Sequence, residues 1–184
     1  MAFPRFLVPT ICFALAAPAA AGVTVIGASA ARLCYEAAEF GTGNDAGLDW
    51  CNRALTEGVL IRSEHVATLV NRGILKLRMG RVEASLADFD AAIELDASEP
   101  EAYVNKGMAL LRLDRRSDEA IALFDAAIER KTRRPALAYY GRAIAHEAAG
   151  RARDAYRDFR QASLIEPQWA DPKTELGRFT VRRR

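Results

Sequence analysis

The feature that most constrains the fold is a segment that the chain repeats after 34 residues. Residues 70–80 read VNRGILKLRMG, and residues 104–114 read VNKGMALLRLD. Downstream, the pattern small-x3-Phe-x2-Ala occurs three times at steps of 35 residues. The three sets are Ser85, Phe89 and Ala92; Ala120, Phe124 and Ala127; and Ala155, Phe159 and Ala162. Because residues three and four positions apart share one helical face, each set predicts a helix with one packed face.

A further small residue precedes each of these faces: Gly73, Gly107 and Ala143. Together the positions resemble the tetratricopeptide repeat, a helix–turn–helix unit of about 34 residues. In that family the small residue of the first helix packs against the aromatic residue of the second. The resemblance implies an all-α superhelix, that is, an α-solenoid of helical hairpins. It places the three full repeats at residues 66–99, 100–135 and 136–169, and a capping helix at residues 170–181.

Local signals support helix starts inside this frame. Ser98 and Glu101 have the spacing of a capping box, with Pro100 inside the first turn. Ser117 is followed by Asp118 and Glu119, which places negative side chains at the positive end of a helix dipole. These signals predict helices that begin near residues 100 and 117.

Residues 31–58 are a degenerate copy of the same unit, with Cys51 at the aromatic position. Cys34 and Cys51 are equally distant from a predicted turn at residues 41–45, so we expect the two sulfurs to meet across an antiparallel hairpin. A disulfide there would stabilise the fold by about 3 kcal/mol in the chain-entropy description. The alternative is a redox-active pair, but such pairs usually have C-x-x-C spacing. The spacing favours a structural disulfide.

The N-terminal residues 1–21 have the layout of a secretory signal peptide. Arg5 precedes an apolar run at residues 6–17, and three alanines, residues 19–21, provide a small-residue cleavage site. This layout predicts cleavage near residue 21 and a periplasmic or secreted protein. The alternative is an uncleaved N-terminal membrane anchor, because the uncharged stretch is long enough to span a bilayer.

Charge gives no general reason to expect nucleic acid or an anionic membrane surface as a partner, because the net charge is only +2. Two basic clusters stand out, at residues 130–134 and 182–184. Either cluster could contact anionic lipid or an acidic partner. The alternative is that both are solvated chain ends and helix ends, where cations complement the helix dipole.

The sequence indicates no catalytic, cofactor or metal site. The chain has two histidines, His65 and His146, and neither has a Cys, Asp or Glu partner at metal-ligand spacing. No G-x-S-x-G, phosphate-loop or H-E-x-x-H motif is present. The carboxylates of Asp88 and Asp90 are expected to be solvated rather than to form an acid/base pair. We therefore expect a protein that is not an enzyme.

The resemblance implies instead a concave groove, lined by the first helices, that binds an extended or helical segment of a partner protein. The candidate partner-binding residues are Asn71, Ile74, Arg78, Asn105, Met108, Arg112, Tyr140 and Ile144. The asparagines are suited to holding a ligand backbone, and the arginines to pairing with a carboxylate. Alternatively Val70, Val104 and Met108 simply pack between repeats. Val70 and Ile74 stand where the family's chaperone-tail binders need polar residues, which argues against that ligand class.

Two classes of function stay open. The first is an adaptor or scaffold that binds a protein or peptide partner in the groove. The second is a structural or stress-related envelope protein whose repeats associate with one another. The sequence does not identify the partner.

Overall fold

The computed structural model describes residues 29–41, 44–113 and 116–180, which contain nine α-helices and no β-strand. The helices are α1 (Ala30–Phe40), α2 (Asp45–Glu57), α3 (Arg62–Arg78), α4 (Val82–Leu95), α5 (Pro100–Leu110), α6 (Ser117–Glu129), α7 (Pro135–Ala148), α8 (Ala152–Ile165) and α9 (Ala170–Leu176). The prediction of an all-α repeat solenoid is therefore confirmed. The predicted leader at residues 1–21 and the basic cluster at residues 182–184 lie outside the described residues.

Consecutive helices pair into four hairpins, α1–α2, α3–α4, α5–α6 and α7–α8, and α9 packs against α8. Each hairpin also contacts the next, because the first helices α1, α3, α5 and α7 contact one another in order. This arrangement buries one continuous core along the stack, since a single hairpin cannot cover its own apolar face.

Three phenylalanines, Phe89, Phe124 and Phe159, form the centres of the core and are completely buried. Phe89 and Phe124 lie directly against Gly73 and Gly107 of the preceding helices. Phe159 packs with Ala143, which is also fully buried. The small residue of each first helix thus lets the two helices of a hairpin approach closely, as the repeat pattern predicts.

Two hairpin turns end their first helix in the same way. Gly80 has a φ of +73° and Gly150 a φ of +75°, a conformation that glycine adopts without a steric cost. After α3, the Arg81 N–H donates to the Lys76 carbonyl over 2.9 Å, and the Gly80 N–H donates to Leu77 over 3.1 Å. This pair of bonds satisfies carbonyl groups that the end of the helix would otherwise leave without donors.

The N-terminal hairpin is crosslinked. The sulfurs of Cys34 and Cys51 are bonded at 2.12 Å, and both residues are completely buried. The bond joins α1 to α2, the pair that has a neighbouring hairpin on one side. Among the helices of the described residues, none is long and apolar enough to cross a lipid bilayer.

Candidate partner-binding groove

A groove with a volume of about 320 Å³ runs along the first helices of successive hairpins. We call it the first-helix groove. It is lined by Tyr35, Glu39, Ala67, Val70, Asn71, Ile74, Glu99, Glu101, Asn105, Arg133 and Arg134. These residues come from α1, α3 and α5, from the residue before α5, and from the segment that enters α7. The groove is therefore assembled by stacking and belongs to no single hairpin.

Helical periodicity explains which side chains line it. On α3, Ala67, Val70 or Asn71, and Ile74 recur at spacings of three and four residues and share one face. On α5, Glu101 and Asn105 are four residues apart and face the same way. The groove thus combines an apolar strip on α3 with polar side chains from α1, α3, α5 and the segments that enter α5 and α7.

Three of the predicted partner-binding residues, Asn71, Ile74 and Asn105, line the groove. Each is partly exposed. The Asn105 amide donates to the Glu101 carbonyl of its own helix over 2.8 Å, which leaves its side-chain oxygen directed away from that bond. Within the described ranges, the Asn71 side chain has no hydrogen-bond partner.

Three other predicted residues lie elsewhere. Arg78 donates to the carbonyls of Ala38, over 2.5 Å, and Gly41, over 3.0 Å, and so caps the end of α1. Met108 packs into the core beside Phe124. Arg112 is exposed beyond the end of α5 and is not among the residues that line the groove.

The last two, Tyr140 and Ile144, lie where α7 packs against the end of the solenoid. The Tyr140 ring is 5.5 Å from the Phe159 ring and 4.7 Å from the Trp169 ring, measured between centroids. Ile144 belongs to the same apolar cluster, together with Leu176 of α9. Both side chains are used in packing the capping helix.

Glu101 also lines the groove, although it is not one of the residues predicted from the sequence. The residue is only 8% exposed. Its Oε1 accepts from the Arg133 backbone N–H over 2.8 Å, from Thr132 Oγ1 over 3.2 Å and from Arg133 Nε over 3.3 Å. Its Oε2 is buried and has no hydrogen-bond partner in the part of the chain that the structure describes. The sequence contains one signal for this residue. Glu101 occupies a position at which the preceding repeat has Ala67, so a carboxylate replaces a small apolar side chain there.

The predicted capping box at Ser98 and Glu101 is wrong. Ser98 Oγ donates to Asp96 over 2.6 Å, and the side chain of Glu99 caps the first turn of α5. Glu101 instead bonds forward to Thr132 and the start of the next hairpin. Glu101 thus forms a hydrogen bond with a residue 31 positions away in the chain in place of the local capping bond.

The expectation that Asp88 is solvated is also wrong. Asp88 is 3% exposed and pairs with Arg72 Nη2 over 2.6 Å and with Lys76 Nζ over 2.7 Å. The third full hairpin repeats this pair as Arg142 and Asp158, at 2.7 Å. These ion pairs join the two helices of a hairpin beside the phenylalanine core. Asp90 is different, since its side chain is 58% exposed.

Two arginines of the basic cluster at residues 130–134 contact other parts of the protein. The Arg130 guanidinium donates to the carbonyl of Ala97 over 2.8 Å and lies 4.5 Å from the centre of the Tyr103 ring. The Arg133 side chain reaches Glu99 and Glu101. Across the described ranges, no three His, Cys, Asp or Glu side chains are grouped so that they could hold a metal ion.

Comparison with known proteins places these features in context. Residues 70–135 match the family model described as tetratricopeptide repeat. No curated protein matches the chain.

Solved structures share the fold at low sequence identity. The tetratricopeptide-repeat domain of OM64 from Arabidopsis is 24% identical over 64% of this chain and 96% of that one, with a TM-score of 0.60. TTC0263 from Thermus thermophilus is 20% identical over 80% of this chain and 77% of that one, with a TM-score of 0.65. YrrB, described as a repeat protein with an unusual peptide-binding site, is 21% identical over 80% and 74%, with a TM-score of 0.59. At such identities the likeness establishes the fold alone.

Proposed function

Because this chain is a tetratricopeptide-repeat protein, we propose that it is a non-catalytic adaptor or scaffold that binds a segment of a partner protein in the first-helix groove. Proteins of this family serve in general as protein–protein interaction modules. The observation that carries the finer proposal is the groove itself, where partly exposed amide and apolar side chains of two consecutive hairpins face one space.

The lining side chains suit a polypeptide ligand. An extended segment offers backbone N–H and C=O groups along its length, and it loses water from them when it binds. The amides of Asn71 and Asn105 can each donate and accept, and so can replace that water. Ile74 provides apolar contact between them, whereas Val70 is 5% exposed and packs in the core. YrrB, a structural neighbour, is described as having a peptide-binding site, which is consistent with this use of the fold.

We also propose that the protein works in an oxidising compartment, the periplasm or the exterior. The buried Cys34–Cys51 disulfide supports this, because such bonds persist mainly outside the reducing cytosol. Mass spectrometry of the exported protein should find an N-terminus near Gly22. Recovery of the intact chain in the membrane fraction would support the anchor instead.

The groove is tested by crosslinking capture of partners from a periplasmic extract, with the mature chain as bait. The variant is Asn71→Ala together with Asn105→Ala. The matched control is Gln161→Ala together with Gln168→Ala, which removes two exposed amides outside the groove. Capture should fall for the asparagine variant, since each lost hydrogen bond is worth about 0.5–1.5 kcal/mol. Capture that is equal for both variants would place binding on another surface.

Self-association is the second candidate. The connection between α2 and α3, which joins the first two hairpins, exposes Val59 fully and Ile61 to 65%. Exposed apolar side chains of this size favour contact with another protein surface, which a second copy could supply. Light scattering of the purified protein over a range of concentrations separates the two, because without a partner only self-association raises the mass as the concentration rises.

A further inference from the structure

The carboxylate of Glu101 is satisfied on one oxygen only. Oε1 accepts from Thr132 and from two groups of Arg133, whereas Oε2 is buried and lacks a donor among the described residues. Buried polar atoms almost always have a partner, and an anionic oxygen without one is especially unfavourable. The oxygen belongs to a residue that lines the first-helix groove. The structure thus points to a missing donor at this place.

The surroundings favour a positively charged donor. Glu39 and Glu99 line the same groove, so three carboxylates face two guanidinium groups, those of Arg133 and Arg134. Arg133 compensates this charge weakly. Its contacts are 3.3 Å to Glu101 and 3.8 Å to Glu99, longer than the roughly 2.7–2.9 Å of a strong charge-assisted hydrogen bond, and its side chain is 80% exposed. It can therefore move away from the carboxylates at little cost.

We propose that the groove recognises a lysine or arginine side chain of the partner segment, with Glu101 as the principal anion and Glu99 beside it. The incoming cation displaces the Arg133 guanidinium from Oε1 of Glu101, and the carboxylate rotates so that Oε2 also accepts a hydrogen bond from it. Its aliphatic stem lies along Ile74, since long basic side chains cover apolar surface while the charged end reaches a polar site. This inference rests on the proposed function, because it specifies the chemistry of the segment that the groove binds.

The proposal is tested with three capped nine-residue peptides of Ala and Ser that differ only at the central residue, which is Lys, Gln or Glu. Binding to the full mature chain is followed by nuclear magnetic resonance titration, which measures millimolar affinities. The lysine peptide should bind at least about tenfold more tightly than the glutamine peptide, because a charge-assisted hydrogen bond is the stronger one. It should shift resonances of residues that line the groove.

Two variants change the affinity in opposite directions. Glu101→Gln keeps the size of the side chain and one acceptor but removes the charge, so the preference for lysine should disappear. Arg133→Ala removes the competing cation, so the lysine peptide should bind several-fold more tightly than to the wild type. The control is Glu94→Gln, which removes the same charge from an exposed position of α4 and should change nothing. Circular dichroism establishes that each variant is folded.

The outcomes separate this inference from the proposed function. Equal binding of the lysine and glutamine peptides, stronger binding of the glutamate peptide, or no binding of the lysine peptide would each overturn the cation site. If capture of partners still depended on Asn71 and Asn105 in those cases, the groove would remain the binding surface. If the Glu101→Gln protein were unfolded, the tighter binding expected of Arg133→Ala would decide, and its absence would overturn the proposal.

Discussion

The ring of Phe89 lies so close to Gly73 that a Cβ atom on this glycine would be 2.4 Å from the ring atom Cε1. The same relationship holds between Gly107 and Phe124, where the distance from the added atom to Cζ would be 2.8 Å. Real Cβ atoms do not approach other carbon atoms this closely. The distance between the two helices of these hairpins is therefore set by a glycine and a phenylalanine.

Replacement of Gly73 by Ala should destabilise the protein, even though alanine favours a helix by about 1 kcal/mol over glycine. Phe89 is completely buried and cannot move aside, so overpacking should cost about 1–3 kcal/mol. Urea unfolding followed by circular dichroism measures the change. In the background Phe89→Leu, whose side chain is smaller, the same glycine replacement should cost clearly less. Equal costs in both backgrounds would show that the contact does not set the helix spacing.

Phe124→Ala should be among the most damaging single replacements. The ring lies against Gly107 of its own hairpin and against Gly141 of the next, so its removal leaves a cavity between two hairpins. We expect a loss of about 3–5 kcal/mol in the free energy of unfolding.

The groove variant Asn71→Ala with Asn105→Ala serves as the comparison. Because surface replacements usually stay within about 0.5 kcal/mol, its thermal unfolding should remain close to that of the wild type. Unfolding at the temperature of the Phe124→Ala protein would mean that the two asparagines are packing residues and not ligand contacts.

Asp158→Ala should be more costly than Asp125→Ala. Both carboxylates pair with Arg142, but Asp158 is 10% exposed as a side chain and Asp125 48%. Hydrogen bonding to Asp158, more than any other interaction, raises the pKa of Arg142 above its usual value, so removal of Asp158 leaves a half-buried cation without its main partner. We expect a loss of about 1–3 kcal/mol for Asp158→Ala and at most about 1 kcal/mol for Asp125→Ala. Chemical denaturation of both proteins provides the comparison, and equal losses would contradict this ranking.

Reduction of the disulfide should lower stability by about 3 kcal/mol, the value for a closed loop of similar length. Cys34 and Cys51 are 17 residues apart. Unfolding is measured with and without a phosphine reductant. The variant Cys34→Ala with Cys51→Ala should match the reduced wild type and should not respond to the reductant. A reductant effect of equal size on this variant would assign the effect to another cause.

His146 should make the protein less stable in mild acid. Burial lowers the pKa of this imidazole below its ordinary value of 6.5; the carboxylates of Asp158 and Asp154 oppose the shift, and Arg142 and Arg151 add to it. The unfolded chain therefore takes up the proton first as the pH falls. The stability that the neutral imidazole contributes is present above about pH 6.5 and is lost as the pH falls toward the folded pKa.

The measurement is the free energy of unfolding of the wild type and of His146→Gln between pH 7.5 and pH 5. The glutamine does not titrate, so this variant should lose less stability over the range. The carboxylates titrate in both proteins and cancel in the difference. Parallel curves would show that the pKa of His146 is the same in the folded and unfolded chains.

Much of the architecture follows from local patterns in the sequence. The recurrence of Phe89, Phe124 and Phe159 with a small residue on the preceding helix defines which helices pair and which faces they bury. Such patterns are readable because helical periodicity fixes the face on which a residue lies, whatever its neighbours are. The groove positions of Asn71 and Ile74 follow instead from the resemblance to the tetratricopeptide repeat, which implies that the first helices line a groove.

Other features depended on contacts between residues that are far apart in the chain. Arg78 and Asn71 lie on one helix, yet Arg78 caps α1 and Asn71 lines the groove. The burial of Asp88 was missed, although its pair Arg72–Asp88 recurs as Arg142–Asp158 at the same spacing of 16 residues. Periodicity specifies a face but not the partner that the stacking of hairpins brings to that face.

The sequence by itself therefore determined the repeat, the helices and their phenylalanine core, because these follow from the spacing of small and aromatic residues along single helices. Only the tertiary structure decided which polar side chains remain available to a ligand. Glu101 has the sequence position of a capping residue, but the segment that enters the next hairpin supplies three donors to one of its oxygens, and the other oxygen is buried with no donor among the described residues. Burial and hydrogen bonding of that carboxylate depend on how two hairpins stack, a geometry that no local pattern encodes.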